Sequence, residues 1–173
     1  MLAFGKMRTI KSRFLRLVLD MLEIKPAYDS LEQVKSLFRE YARTLKIDLC
    51  FQGFDSELDG LPGKYALPKG RLYLAYWEGV AAGCVALKPL SEERCELKRL
   101  FVRPRFRGLK IGRALVERII GDAAACGYRE IVLDTLPRLT GAAALYEKLG
   151  FRPVAPYYDN PIPDALYFGL VLK

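Results

Sequence analysis

Hydrophobic positions in the first half of the chain change from helical spacing to strand-like alternation, and this predicts its elements. Apolar residues recur at helical spacing from Leu31 to Leu45, after Asp29 or Ser30 as a cap, and predict one long helix. The Gly- and Pro-rich region 48–70 is predicted to hold a short helix and a loop. Strands are predicted at 22–26, 71–76, 81–87 and 95–102, the middle two joined by a hairpin turn at Glu78-Gly79.

The second half of the chain alternates predicted helices with short apolar runs. Helices are predicted at about 112–126 and from 139 or 140 to 149, and strands at 131–133, 152–155 and 166–172. Antiparallel strands therefore come first, and βαβ crossovers follow them. This order predicts an α+β fold with a mixed, mostly antiparallel sheet of six to seven strands and helices on both faces.

The stretch between Glu96 and Glu117 joins a predicted strand to a predicted helix and carries charge of one sign. It contains seven Lys and Arg residues and no acid, and its turn, Arg107 to Arg113, includes Gly108 and Gly112. Free N–H groups at a helix start bind anions, and glycines let the backbone approach a phosphate closely. We interpret this turn as a phosphate site; the alternative is a βα connection whose basic residues are solvated.

Composition excludes several classes of chemistry. The 173 residues carry a net charge of +8 and include no histidine, which excludes His-dependent hydrolase triads and any imidazole general base. The four cysteines are scattered without a C-x-x-C pair, so we expect no metal site. A reduced, cytoplasmic protein is the expectation from this cysteine pattern.

The first 20 residues differ in charge from the rest. They hold five Lys and Arg residues against Asp20, a net charge of +4, and the remaining residues also carry +4. The segment is too short and too charged to span a bilayer, so we expect no membrane partner. We interpret residues 1–20 as a basic extension that need not belong to the fold, with an interfacial helix or a nucleic-acid-binding arm as the less favoured alternatives, and residues 21–173 as one domain.

Three features together resemble the GNAT superfamily of N-acetyltransferases. The segment Leu100–Leu115, with its R-G-x-x-I-G turn, looks like the acetyl-CoA motif of that family, and Ala142–Phe151 looks like its late helix with the tyrosine Tyr146. The third feature is the hairpin followed by a βαβ order. The resemblance covers about residues 22–173 and implies a GNAT-like sheet with one βαβ crossover carrying the acetyl-CoA loop.

Two positions depart from the family pattern. Lys110 stands where the phosphate loop usually has its middle glycine, and Leu139 stands where an asparagine often precedes the tyrosine. A positive φ at Lys110 would cost about 1 kcal/mol relative to glycine. The lysine side chain could either crowd the pyrophosphate or add a cation beside it.

The resemblance implies an amine that attacks acetyl-CoA directly in a ternary complex. The pantetheine arm would pair with the edge of Leu100–Val102, and the N–H of Phe101 or a neighbour would bind the thioester oxygen. Backbone N–H groups of the turn would hold the phosphates, with the Arg107 and Arg113 side chains nearby. The implied acetyl-CoA-binding residues are Leu100, Phe101, Val102, Arg107, Gly108, Leu109, Lys110, Ile111, Gly112 and Arg113.

Tyr146 is the candidate acid. A thiol has a pKa of about 8.5 and tyrosine one of about 10, so the phenol stays protonated at pH 7 and can protonate the leaving thiolate. The alternative is a core tyrosine on the apolar face of its helix. The resemblance favours catalysis.

Glu96 is the candidate base, acting through water. Alternation along its strand is expected to place it on the face of Lys98 and Leu100. The alternative is a surface glutamate paired with Lys98 or Arg99, and Asp134 is a weaker candidate for the same role.

Residues that would contact the acceptor are less specific in pattern. Three acids of the region 48–70 could hold a cationic amine, although a solvated turn is the interpretation we favour. Three polar residues of the loop at 156–164, the late loop, could line the acceptor pocket. These residues are Asp55, Glu57 and Asp59, and Tyr157, Tyr158 and Asn160.

The function expected from the sequence is acetyl transfer to a primary amine of a small molecule or amino-acid-like acceptor. One alternative acceptor is a macromolecule, either a protein amino terminus or an aminoacyl-tRNA. A non-catalytic CoA-binding module is another alternative. We expect no nucleic-acid partner, because the stretch between Glu96 and Glu117 and the extension together hold 12 of the 28 Lys and Arg residues, and the charge of the remainder is nearly balanced. A homodimer is left open.

Overall fold

The computed structural model describes residues 21–46 and 53–172, so the expectations for residues 1–20 and for Cys50 lie outside the described residues. The strands are β1 (Leu22–Pro26), β2 (Arg71–Trp77), β3 (Val80–Pro89), β4 (Arg94–Val102), β5 (Glu130–Thr135), β6 (Arg152–Pro153) and β7 (Leu166–Val171). The helices are α1 (Leu31–Leu45), α2 (Phe54–Asp59), α3 (Ile111–Ala125) and α4 (Thr140–Lys148).

The strands form one sheet in the order β1-β2-β3-β4-β5-β7-β6. Every neighbouring pair is antiparallel except β4 and β5, which the α3 crossover joins in parallel. The predicted mixed, mostly antiparallel α+β sheet is therefore confirmed. No helix in the described residues is long and apolar enough to cross a membrane.

Strand alternation sends side chains of the sheet into two cores. Leu72 and Leu74 of β2 join Phe38 of α1 on one face, while Tyr73 and Ala75 join the core that α3 covers on the other. Helices therefore cover both faces, as predicted. The predicted β2–β3 hairpin is also present, with positive φ at Glu78 and Gly79.

Strand β4 contains a β-bulge at Arg99, where the chain takes a φ of 57°. The extra residue reverses the phase of the strand. Leu97 and Leu100 consequently pack into the same core, and Phe101 packs into the opposite one. The expectation that Glu96 and Leu100 share a face is therefore wrong, because regular alternation does not continue through the bulge.

Strands β4 and β5 separate shortly after they begin. Their register contains three pairs, from Arg94 opposite Glu130 to Glu96 opposite Val132. Beyond these pairs β5 stays bonded to β7 through Thr135, whereas β4 stays bonded to β3 through Val102. The sheet therefore opens into a gap, the wedge, between Leu97–Val102 and Leu133–Thr135.

Candidate active site

The turn before α3 has a left-handed backbone at two positions. Gly108 has a φ of 85°, and Lys110, the residue before the helix, has a φ of 62°. The left-handed geometry that the sequence left open at Lys110 is thus present, with its cost of about 1 kcal/mol. Ala114 donates the first backbone hydrogen bond of the helix, to the Lys110 carbonyl at 3.1 Å. In the described chain, the N–H groups from Gly108 to Arg113 donate to no backbone carbonyl.

Space and charge at this turn fit a phosphate. A Cβ added at Gly112 would meet Leu145 at 3.6 Å and Val102 at 3.7 Å, ordinary contacts, so packing does not demand glycine there. The Arg107 and Lys110 side chains are exposed beside these N–H groups. The Arg113 guanidinium bonds Glu117 at 2.8 Å, which reduces its availability for a ligand.

The donors that face the wedge come from alternate residues of β4. The N–H of Arg103 donates to Ala82 of β3 at 2.9 Å, so Phe101, two residues earlier, also faces β3. Its neighbours Leu100 and Val102 then face the wedge, and the Val102 carbonyl accepts a bond from the Arg107 side chain at 3.3 Å. The sequence offers the N–H of Phe101 or of a neighbour as the donor to the thioester oxygen. Of these, the geometry favours the Leu100 N–H.

Tyr146 lies on α4 with its ring in the core and borders the wedge. The ring contacts Phe151 and Phe168 at centroid distances of 5.6 and 6.2 Å. A cavity of about 60 Å³ occupies the wedge, bordered by Tyr146 together with Leu100 and other side chains of β4 and β5. Burial raises the pKa of the Tyr146 phenol. Its hydroxyl has no hydrogen-bond partner within the described residues.

A larger cavity of about 550 Å³ lies on the α1 side of the sheet. Glu96 is buried in its floor, where Oε1 accepts from the Tyr157 hydroxyl at 2.6 Å and Oε2 contacts the Lys88 ammonium at 2.7 Å. Lys98 lies 3.4 Å from Oε1 and borders both cavities. The pairing with Lys98 that we named as the alternative is present, but in a buried site rather than on the surface.

Asp134 and the late loop complete the wall between the two cavities. Asp134 contacts the Lys98 ammonium at 3.0 Å and accepts from the Tyr158 hydroxyl at 3.0 Å. Asn160 in turn donates to the Tyr158 hydroxyl at 2.8 Å. Tyr157 and Tyr158, which the sequence offers as lining of an acceptor pocket, line the larger cavity, whereas Asn160 contacts the Tyr158 hydroxyl and is not among the lining residues.

The three acids of the loop region do not converge on one site. Asp55 and Asp59 are exposed, whereas Glu57 is buried and bonds Arg99, Lys64 and the Tyr65 hydroxyl. Burial alone would raise the pKa of Glu57, but the bonds from Arg99 and Lys64 outweigh it and lower that pKa to about 2. Sequence reasoning missed this pairing because no local spacing connects α2 to β4.

Lys88 is another site residue that the sequence did not single out. It lies directly opposite Glu96 in the β3–β4 register. The predicted strands and the turn between them contain the signal that could have found it, since pairing 81–87 with 95–102 around that turn brings the two residues together.

The comparison with known proteins decides the family. The model of the acetyltransferase (GNAT) family matches residues 31–151. The chain belongs to that family. An uncharacterized N-acetyltransferase of Schizosaccharomyces pombe is 45% identical to this GNAT chain over 145 residues, which cover 83% of it and 89% of the relative. The protein is therefore an acyltransferase.

Solved GNAT structures share the fold. An acetyltransferase from Streptococcus agalactiae superposes with a TM-score of 0.73 at 26% identity, covering 87% of this chain and 98% of its own. A GNAT family acetyltransferase from Elizabethkingia anophelis with acetyl-CoA bound gives a TM-score of 0.60 at 26% identity, with coverage of 88% and 99%.

Proposed function

We propose that this GNAT protein transfers the acetyl group of acetyl-CoA to the primary amine of a small or amino-acid-like acceptor. The observation that carries the proposal is the wedge. It has Tyr146 on one side, unpaired backbone of β4 on the other, and a cavity of about 550 Å³ across Lys98. Two substrates can thus meet from two sides of the sheet.

The turn before α3 is the proposed phosphate site. Its N–H groups donate to no backbone carbonyl of the described residues. These groups, the start of the α3 dipole and the exposed Arg107 and Lys110 side chains all favour an anion. Gly112 has no side chain, and a Cβ added there would meet only Leu145 and Val102, both at ordinary contact distances. The pantetheine amides would then pair with Leu100 and Val102 along the wedge, as an added strand pairs with a sheet edge.

The backbone of the bulge is the proposed hydrogen-bond donor to the thioester oxygen. As the amine nitrogen bonds to the thioester carbon, negative charge develops on the carbonyl oxygen, and the Leu100 N–H is placed to stabilise it. The carbon–sulfur bond then breaks, and the electron pair leaves with sulfur. A fixed backbone donor supplies this stabilisation without reorganising during the reaction.

Glu96 and Tyr146 are the proposed proton carriers. The acceptor ammonium gives one proton to Glu96, through water, and from there the proton passes to solvent. The second nitrogen proton passes to solvent as the amide forms, and the sulfur takes one proton from the Tyr146 phenol, which solvent then protonates again. Because burial raises the pKa of Tyr146, the phenol remains protonated until thiolate charge develops beside it. Its first contribution is then a hydrogen bond to that sulfur.

Calorimetry with acetyl-CoA, followed by a thiol-release assay over a library of primary amines, tests this function. We expect micromolar binding of acetyl-CoA and release of free thiol with at least one small amine. Binding without turnover of any amine would contradict the transfer step. Absence of binding would contradict the proposal altogether.

A further inference from the structure

The larger cavity is lined by more cations than carboxylates. Its cationic residues are Lys64, Lys88, Arg94 and Lys98, and its carboxylates are Glu96 and Asp159. A cavity that binds only an ammonium group would be expected to have more carboxylates than cations in its lining. We infer that the acceptor is an amine that also carries a carboxylate, and that Lys88, with Lys64 and Arg94, binds this carboxylate. The inference rests on the proposed function and names its substrate class.

The exposed fractions of two of these lysine side chains, compared with those of their carboxylate partners, support this assignment. The Lys64 side chain is 38% exposed and its partner Glu57 is 2% exposed. The Lys88 side chain is 24% exposed and its partner Glu96 is 2% exposed. The ammonium groups therefore lie above the carboxylates that neutralise them, so a ligand meets the cations first.

The cations also keep unused donors. An ammonium has three N–H donors, and Lys88 uses one of them on Glu96. Arg94 bonds Glu130 through Nε at 2.6 Å, and the described structure shows no bond from its two terminal nitrogens. A carboxylate placed between Lys88 and Arg94 would accept charge-assisted bonds without displacing either existing partner.

The positions along β4 give the acceptor a direction. Arg94, Glu96 and Lys98 follow one another on one face, with Arg94 and Lys98 about 13 Å apart at about 3.3 Å per residue. Lys98 borders the wedge and Arg94 lies at the far end. An acceptor whose carboxylate is held by Lys88 and Arg94 therefore points its amine toward Lys98 and the wedge.

The inference is tested with pairs of acceptors that differ in charge alone. Each amino acid of a panel containing α-, β- and γ-amino acids is compared with its carboxamide, and kcat/KM is corrected for the fraction of free amine. We expect the wild type to favour the carboxylate by about tenfold or more, the value of one charge-assisted hydrogen bond. Equal or better use of the carboxamides would overturn the inference while leaving acetyl transfer intact.

Two variants locate the carboxylate site. Lys88→Gln and Arg94→Gln should each lower kcat/KM for the amino acid by about tenfold more than for its carboxamide. Lys25→Gln is the control, because it removes the same single positive charge at an exposed position of β1. It should alter kcat/KM for neither the amino acid nor its carboxamide. Equal losses on both acceptors would mean that these cations support the fold or Glu96 and do not bind the substrate.

A binding measurement keeps the two proposals separate. Succinate has carboxylates and no amine, so its binding to the full chain saturated with CoA is independent of turnover. We expect the wild type to bind succinate about tenfold more tightly than Lys88→Gln does. If no amine is acetylated, the proposed function fails, and the succinate result alone then decides whether the cavity recognises carboxylates.

Discussion

Arg99 is bonded to Glu57 at two points, with Nε 2.8 Å from Oε1 and Nη2 3.0 Å from Oε2. The same residue holds the left-handed backbone of the bulge, at a φ of 57°. Such a conformation costs about 1 kcal/mol or more in a residue with a long side chain. The buried ion pair therefore fixes the bulge that turns the Leu100 N–H toward the wedge.

Replacing Glu57 with Gln should destabilise the protein by about 3 kcal/mol, because it removes the carboxylate that bonds the buried Arg99 guanidinium at two points. Chemical denaturation measures this loss. Asp55→Asn, the same chemical change at an exposed position of the same helix, should alter the free energy of unfolding by less than about 0.5 kcal/mol. Comparable losses in the two variants would contradict the assigned role of the pair.

The Glu57 carboxylate also predicts acid sensitivity. Its pKa is about 2 in the folded protein, below the value of about 4.3 for an unperturbed glutamate. A lowered folded pKa contributes stability above the unfolded value, and that contribution disappears as the pH falls from about 4.3 toward 2. In denaturation at several pH values, the difference between wild type and Glu57→Gln should be constant near neutrality and should shrink across this acidic range.

A methyl group at Gly112 should separate ligand binding from folding. The added Cβ meets no atom closer than 3.6 Å, so Gly112→Ala should leave stability unchanged or raise it by up to about 1 kcal/mol. Acetyl-CoA affinity, measured by calorimetry, should fall by about tenfold or more, because the proposed close approach of a phosphate to the helix start requires backbone without a side chain. Gly121→Ala, in the same helix and with open space around it, should leave affinity unchanged. Unaltered affinity in Gly112→Ala would contradict the proposed cradle.

Lys110 and Lys46 allow the cost of a left-handed backbone to be separated from the effect of a lysine charge on acetyl-CoA binding. Both have left-handed backbones, with φ of 62° and 48°. Substitution of either by glycine should raise the free energy of unfolding by about 0.5–1 kcal/mol. Only Lys110→Gly should weaken acetyl-CoA binding, by a few-fold, through loss of a cation beside the phosphates. Tighter binding in this variant would show instead that the lysine side chain crowds the site.

Removing the Tyr146 hydroxyl should reduce turnover without loosening the fold. The hydroxyl has no partner within the described residues, so Tyr146→Phe should leave the melting temperature close to that of the wild type. With a substrate found by the amine screen, kcat should fall by about 100-fold, the lower range for an acid catalyst. Tyr76→Phe, which removes a hydroxyl bonded to Gln33 outside the wedge, should not change kcat. Full activity in Tyr146→Phe would remove the phenol from the mechanism.

The strand and helix order was predictable because each element has a clear period. The apolar stripe of α1 and the alternation of β2 both follow from burial on one side, and the predicted bounds agree with the structure within about two residues. The turn at Lys110 was also located from charge and glycine spacing. Local sequence is informative wherever local geometry determines the structure.

The contacts that shape the wedge and the larger cavity could not be predicted in the same way. Arg99 looks like an ordinary strand residue in the sequence, and Glu57 lies 42 positions away. A bulge is specified by such a distant pairing, so the phase reversal between Lys98 and Leu100 has no local signal. The distribution of exposed lysines above buried carboxylates is likewise a property of packing alone.

The early separation of β4 from β5 gives the sheet an internal free edge. The amides of Leu100 and Val102 lie in the middle of a seven-stranded sheet, yet they face no strand among residues 21–46 and 53–172. Their hydrogens should therefore exchange with solvent deuterium as rapidly as those of a loop, while the Phe101 amide, bonded to β3, should be protected. The centre of this sheet is thus the place where its backbone is ready to accept a further partner.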